Sequence, residues 1–217
     1  MPVWIESIAV VVCAISAVLA AEGKGIDLFG VMVLALVTAV GGGTVRDLCL
    51  GVTPVFWIGQ PHFVWTALVA AAATFVAARF VHMPEKALGV ADAFGLALFG
   101  IAGTEKALTF GSPGIVAVLL GIVTGVAGGI LRDVLRREIP WVFRPEVNLY
   151  ATAVFAGAAL FVVLRQWMPG SDWPAYAGMA AILILRLAAM RWGLRLPVFW
   201  MRGSSNGRES GTANGRE

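Results

Sequence analysis

Gly41-Gly42-Gly43-Thr44-Val45-Arg46-Asp47 closes a long apolar run, and 86 positions later Ala127-Gly128-Gly129-Ile130-Leu131-Arg132-Asp133 closes another. Each run approaches the length of about 20 residues that a bilayer core asks of a helix. The same offset aligns Ile15 with Ile101, Gly25 with Gly111, Val37-Thr38 with Val123-Thr124, Pro54 with Pro140, Phe75-Val76 with Phe161-Val162 and Arg79 with Arg165, without a gap. Chance matches are common between helices rich in Ala, Val and Leu, but a shared Gly-Gly-x-x-Arg-Asp is not. The chain is a duplication.

Composition agrees with burial in lipid. The 217 residues are 59% hydrophobic and 13% charged, with a mean hydropathy of +0.85, where soluble domains run to about 25% charged. The first apolar stretch lacks the basic amino-terminal flank of a signal peptide, Glu6 being its one charge, and reads as a retained helix. Hydropathy and punctuation predict an all-α membrane protein with seven helices, over 3–21, 26–50, 62–81, 88–104, 113–135, 147–167 and 173–192. Residues 1–202 form the transmembrane domain. Repeat one covers about 3–81 and repeat two about 88–167, the helix at 173–192 stands outside the duplication, and the Gly, Ser, Asn and Arg tail over 203–217 reads as disordered.

Three helices per repeat is an odd number, so the second copy enters the membrane from the opposite side and the two are inverted. One face then collects Lys24, Arg79, Lys86, Arg132, Arg136, Arg137, Arg144, Arg186, Arg191 and Arg195, and the other only Arg46, Lys106 and Arg165. By the positive-inside rule the first face is cytoplasmic, which predicts a multi-pass protein of the cell inner membrane with its amino terminus outside and its carboxyl terminus in the cytoplasm. The net charge of +3 arises mostly on that face and in the tail, so nucleic acid is not an expected partner, whereas membrane lipids are.

Glycine runs inside a helix free the chain to bend and leave carbonyls short of partners, which hydrocarbon tolerates only where protein or water satisfies them. Paired interruptions in corresponding segments of two repeats point to a solute or ion site. Gly41, Gly42, Gly43, Ala127, Gly128 and Gly129 are therefore candidate kink and pore positions, with Thr38 and Thr124 adding hydroxyls about one turn earlier. Arg46, Asp47, Lys106, Arg132 and Asp133 are candidate gate charges, because charge at such depth is expensive and marks pathways or gates. Adjacent residues on a helix diverge by about 100°, so Arg46 and Asp47 are expected to find partners elsewhere, in the other repeat or in headgroups. An arginine near a helix end can instead snorkel, an alternative that weighs most for Arg132, with Arg136 and Arg137 beside it.

Glu6 and Asp92 also correspond across the repeat, as interfacial residues or carboxylate mouths. Glu105-Lys106 aligns with Leu19-Ala20 and breaks the symmetry. Cys13 and Cys49 do not correspond and read as small packing residues, and no cluster has metal-ligand spacing. The glycine motif follows no strand, no nucleophile and base set is evident, and catalysis is not expected.

In combination, the glycine motifs on the second and fifth helices, the Gly-Gly-x-x-Arg-Asp pair and Gly103-Thr104-Glu105-Lys106-Ala107-Leu108 resemble the bacterial branch of the trimeric intracellular cation (TRIC) channel family, over nearly all of residues 3–192. The resemblance implies a homotrimer with one pore per subunit, bounded by the kinked second and fifth helices and conducting monovalent cations, potassium chiefly and sodium. It also implies voltage-sensitive opening and no cofactor. Ala127 departs from a full glycine triplet, which bears on whether both kinks bend equally. The same domain family is associated with uptake of small neutral amino acids such as glycine, so a secondary transporter is the alternative. A channel needs a continuous wetted path, a carrier one occluded midplane site, and inverted symmetry suits both.

Overall fold

The computed structural model describes residues 3–80, 84, 86–144 and 149–194. Seven long helices account for most of them: α1 (Val3–Ala21), α2 (Leu28–Cys49), α3 (His62–Ala77), α4 (Ala87–Thr109), α5 (Gly114–Leu135), α6 (Tyr150–Trp167) and α7 (Trp173–Trp192). A helical turn, Phe56–Gly59, follows α2, and a 3₁₀ turn, Trp141–Phe143, follows α5. Six of the long helices are long and apolar enough to cross a membrane, and His62–Ala77 is apolar but shorter. The fourth helix runs beyond the expected Thr104 to Thr109, because Glu105 and Lys106 find partners inside the bundle. The expected start of the sixth helix and the tail lie outside the described residues.

Packing follows the duplication. Within each copy the three helices touch one another: α1 meets α2 and α3, and α2 meets α3, as α4 meets α5 and α6, and α5 meets α6. Between copies, α1 packs on α4 and α2 on α5. Those are the pairs that a two-fold axis must bring onto themselves, so the axis of the inverted repeat runs through them. The seventh helix packs on α6 and α4, and among the described residues it has no counterpart on the first copy.

Small side chains permit this closeness, since helices in lipid associate through packing rather than through a hydrophobic drive. Ala9, Ala14 and Ala17 of α1 are wholly buried, and on α4 a Cβ at Gly103 would stand 2.4 Å from Thr124 Oγ1 of α5. The turns match as well. After α2 the chain passes through Gly51 at φ 69°, and after α5 through the related Arg137 at φ 57°. That left-handed conformation is uncommon for a side chain other than glycine, and its retention at Arg137 shows how closely the second copy follows the first.

Candidate functional site

The glycine motifs meet at the axis. A Cβ built on Gly42 would lie 2.0 Å from the carbonyl oxygen of Thr124, and one on Gly128 would lie 2.4 Å from that of Thr38. Neither gap holds a carbon, and a backbone oxygen cannot swing aside. Here the structure corrects the expected interruption: Leu28–Cys49 and Gly114–Leu135 are each one continuous helix through their glycines. The glycines let α2 and α5 cross almost backbone to backbone. Thr38 and Thr124 are buried beside the crossing, with their hydroxyls donating to Leu34 O (2.7 Å) and Leu120 O (2.5 Å) one turn back. Gly41 faces the end of the Leu131 side chain, whereas the position related to Leu131 is the shorter Val45, in keeping with the Cβ that Ala127 carries. Gly43 lies against Phe56, and Gly129 against the Tyr150 hydroxyl.

On either side of this crossing lies a buried charge cluster. The first joins the start of α1 to the ends of α2 and α4. Arg46, 1% exposed, reaches Asp47 Oδ1 with Nε (2.8 Å) and Glu6 Oε1 with Nη1 (3.2 Å). Lys106 Nζ donates to Asp47 Oδ1 at 2.7 Å, and the Phe56 backbone N–H donates to Asp47 Oδ2 at 2.8 Å. The Phe56 ring lies 5.5 Å under the Arg46 guanidinium. Among the described residues two acids face two bases, so this set is formally neutral.

The second cluster repeats this plan at the other end of the bundle. Arg132 reaches Asp133 Oδ1 (2.9 Å) and Asp92 Oδ1 (2.9 Å), the Trp141 N–H donates to Asp133 Oδ2 (3.0 Å), and the Trp141 ring stacks 5.2 Å from the guanidinium. Asp92 and Lys106, one in each cluster, are fourteen residues apart on α4, or roughly 21 Å along its axis. The second cluster then departs from the first. Arg186 of α7 lies 3.9 Å from Asp92 Oδ2 and 4.7 Å from the Tyr150 ring, Tyr150 donates to Asp92 Oδ1 at 3.2 Å, and Ser16 of α1 meets Arg132 at 3.4 Å. Arg136, at 3.5 Å from Asp133, stands where Lys106 serves Asp47. Counted over these described residues, Arg132, Arg136 and Arg186 against Asp92 and Asp133, the set is formally positive.

Two further expectations need correcting. Arg46 and Asp47 pair directly, as do Arg132 and Asp133, because a guanidinium on its long stem folds back across the angle that separates neighbouring Cβ atoms. Arg132 does not snorkel either, being 0% exposed with its charge met inside the bundle. The gapless alignment pairs Phe56 with Val142, yet Trp141 takes Phe56's place, so the loop after α5 is one residue tighter. Sequence reading passed over Tyr150 and assigned Arg186 only to a face. An arginine in the middle of an apolar helix, and one of only 2 tyrosines in the chain, were the available signals. Cys49 is exposed at the end of α2 rather than packed.

Outside the spans, Lys24 of the α1–α2 loop bonds to Glu138 of the α5–α6 loop, and Arg144 donates to the other Glu138 oxygen at 2.8 Å. The Lys24 hydrogen bond, then that from Arg144, holds the Glu138 carboxyl below the usual range.

Comparison with known proteins places this arrangement. A family model described as glycine transporter matches twice, over residues 3–79 and 89–166, once for each copy. A UPF0126 membrane protein of Vibrio cholerae is 43% identical over 90% of this chain and 81% of its own length. The UPF0126 inner membrane protein YadS of Escherichia coli K12 is 42% identical over 94% of this chain and 98% of its own. Among solved structures, the TRIC trimeric intracellular cation channel orthologue from Rhodobacter sphaeroides superposes with a TM-score of 0.83 at 38% identity, covering 88% of this chain and 98% of that one.

Proposed function

Since the chain belongs to the family described as glycine transporter, and its structural neighbours are TRIC cation channels rather than enzymes, we propose that it is a monovalent cation channel, selective chiefly for potassium, assembled as a homotrimer with one pore in each subunit and no catalytic role. The observation that carries the reading is the pair of buried charge clusters flanking the α2–α5 crossing. Ionisable side chains within a membrane domain are retained where ions pass or gates move, and these sit on the helices that run from one cluster to the other.

The crossing at Gly42 and Gly128 is the shut constriction of this pathway, and conduction requires α2 and α5 to part there. Glu6, Asp47 and Asp92 supply negative field for a cation, while Arg46, Lys106 and Arg132 hold those carboxylates neutralised until the helices separate. Lys106 ties α4 of the second copy to α2 of the first, so breaking its bond to Asp47 loosens one copy against the other. Transmembrane voltage acts on such a charge with about 2.3 kcal/mol per elementary charge per 100 mV. The amino terminus faces outward, which puts the neutral cluster at the outer face and the positive one at the cytoplasmic face of the inner membrane.

The description of the matching family favours a second reading, a carrier for glycine or a similar small neutral amino acid. The two part experimentally. Planar bilayer recording in asymmetric KCl should give discrete steps reversing near the potassium potential. Silent bilayers, together with saturable, counterflow-capable uptake of labelled glycine by proteoliposomes of the same preparation, would replace the channel by the carrier.

A further inference from the structure

Apart from both clusters, a cavity of about 360 Å³ opens where the ends of α4 and α6 meet the start of α5, lined by Glu105, Thr109, Gly114, Val162, Arg165 and Gln166 among others. Glu105 is buried, at 6% exposed. Arg165 Nη1 lies 3.7 Å from Glu105 Oε1, longer than the roughly 2.7–2.9 Å of a tight charge-assisted hydrogen bond. The pocket thus presents a carboxylate and a guanidinium side by side, the guanidinium also donating to the Ser171 carbonyl at 3.4 Å, with an amide at Gln166 and an apolar wall at Val162. Pockets that hold small molecules start near 300 Å³ and fix the ligand by a few polar groups of this kind.

Among the described residues the first copy arranges the related positions differently. Leu19 stands where Glu105 stands, and Arg79, the counterpart of Arg165, lies 5.1 Å over the Phe75 ring instead. In the second copy the counterpart of Phe75 is Phe161, which is 0% exposed within the core, and Arg165 turns to Glu105. At position 105 itself the acid is confined to the second repeat, whereas the first repeat has its acid at Glu22, the counterpart of Leu108.

We propose that this cavity binds a small zwitterion carrying a primary ammonium and an anionic group, with Glu105 receiving the ammonium and Arg165 the anion in exchange for their contact with each other. A free amino acid has this chemistry, and so does the headgroup of phosphatidylethanolamine at the membrane boundary where the helix ends lie. Binding here does not require the protein to be a channel.

The test uses the full chain. Calorimetric titration of the detergent-purified protein with glycine addresses the free solute. Native mass spectrometry after exposure to phosphatidylethanolamine or phosphatidylglycerol addresses the headgroup. Saturable glycine binding, or selective retention of phosphatidylethanolamine, is expected for the wild type, weakened at least tenfold by Glu105→Gln and by Arg165→Gln and unaffected by Arg79→Gln. Glycine binding alone identifies the free solute, and lipid retention alone the headgroup. A wild type that takes up neither, or a ligand that Glu105→Gln and Arg165→Gln both keep at full affinity, overturns the proposal. Potassium currents from the same preparations report on conduction independently, so the two readings fail separately.

Discussion

Lys106 Nζ lies 2.7 Å from Asp47 Oδ1, a bond between the fourth helix and the second and hence between the two copies of the repeat. Asp47 is wholly buried while Lys106 remains 23% exposed, so the lysine is the partner able to leave. Lys106→Gln should therefore ease opening. A pair of this exposure is worth about 1 kcal/mol, which at about 2.3 kcal/mol per charge per 100 mV corresponds to a shift of some tens of millivolts in the voltage of half-opening. Single-channel recording across a voltage ramp checks it, and an unmoved midpoint would remove Lys106 from the gate.

Glycine positions in the two motifs should respond unequally. Gly42→Ala drives a methyl into the Thr124 carbonyl, as Gly128→Ala does into that of Thr38, whereas Gly41→Ala meets only the movable end of Leu131. Overpacking costs about 1–3 kcal/mol, so the first two variants should lower the midpoint of thermal unfolding in detergent and Gly41→Ala should lower it least. Equal losses at all three positions would contradict the crossing geometry.

Arg132 and Arg46 have the same plan but different surroundings. Arg132 bonds to Asp92 and Asp133, whose side chains are 6% and 1% exposed, while the Glu6 partner of Arg46 is 24% exposed. Removing one member of a buried pair costs roughly 3–5 kcal/mol, and a carboxylate near solvent recovers part of that. Arg132→Gln should thus destabilise the protein more than Arg46→Gln, as read by thermal inactivation in a common detergent.

The loop contact at Glu138 sets a pH dependence. Because Lys24 and Arg144 hold its carboxyl below the usual range, the tether is complete above the ordinary glutamate value, about pH 4.3, and is lost as pH falls through the lower value of the folded protein. Hydrogen exchange in the α1–α2 loop should stay slow from neutral pH down to that range and quicken below it, after correction for the intrinsic pH dependence of exchange. Glu138→Gln should show the quickened behaviour at every pH.

How much of this was legible in the sequence differs from residue to residue. The repeated Arg-Asp after paired glycines disclosed the duplication and both cluster sites, because a charge at the same place in two apolar runs has few other readings. The role of the glycines was misread as interruption: a sequence shows that a Cβ is missing but not what occupies its space. Direct pairing of Arg46 with Asp47 was hidden by reasoning from Cβ directions, which neglects the reach of a guanidinium. Trp141 stood one place from its aligned position because a loop can tighten by a residue while the flanking helices keep register. Arg186 belongs to the one helix without a copy, so no alignment could point to its partner Asp92.

Gly42 faces the carbonyl of Thr124 while Gly128 faces that of Thr38, and Thr38 and Thr124 are themselves related by the duplication. The crossing is thus isologous, the same patch meeting itself, as at the interface of a symmetric dimer. Were the halves separate identical molecules, each change at this surface would be encountered twice, once from either side, and could persist only if it suited its own mirror position. Joined in one chain, the halves escape that rule: Leu131 can lengthen opposite Gly41 while Val45 stays short. The contact has kept its reciprocity where the backbones touch and has given it up where side chains begin.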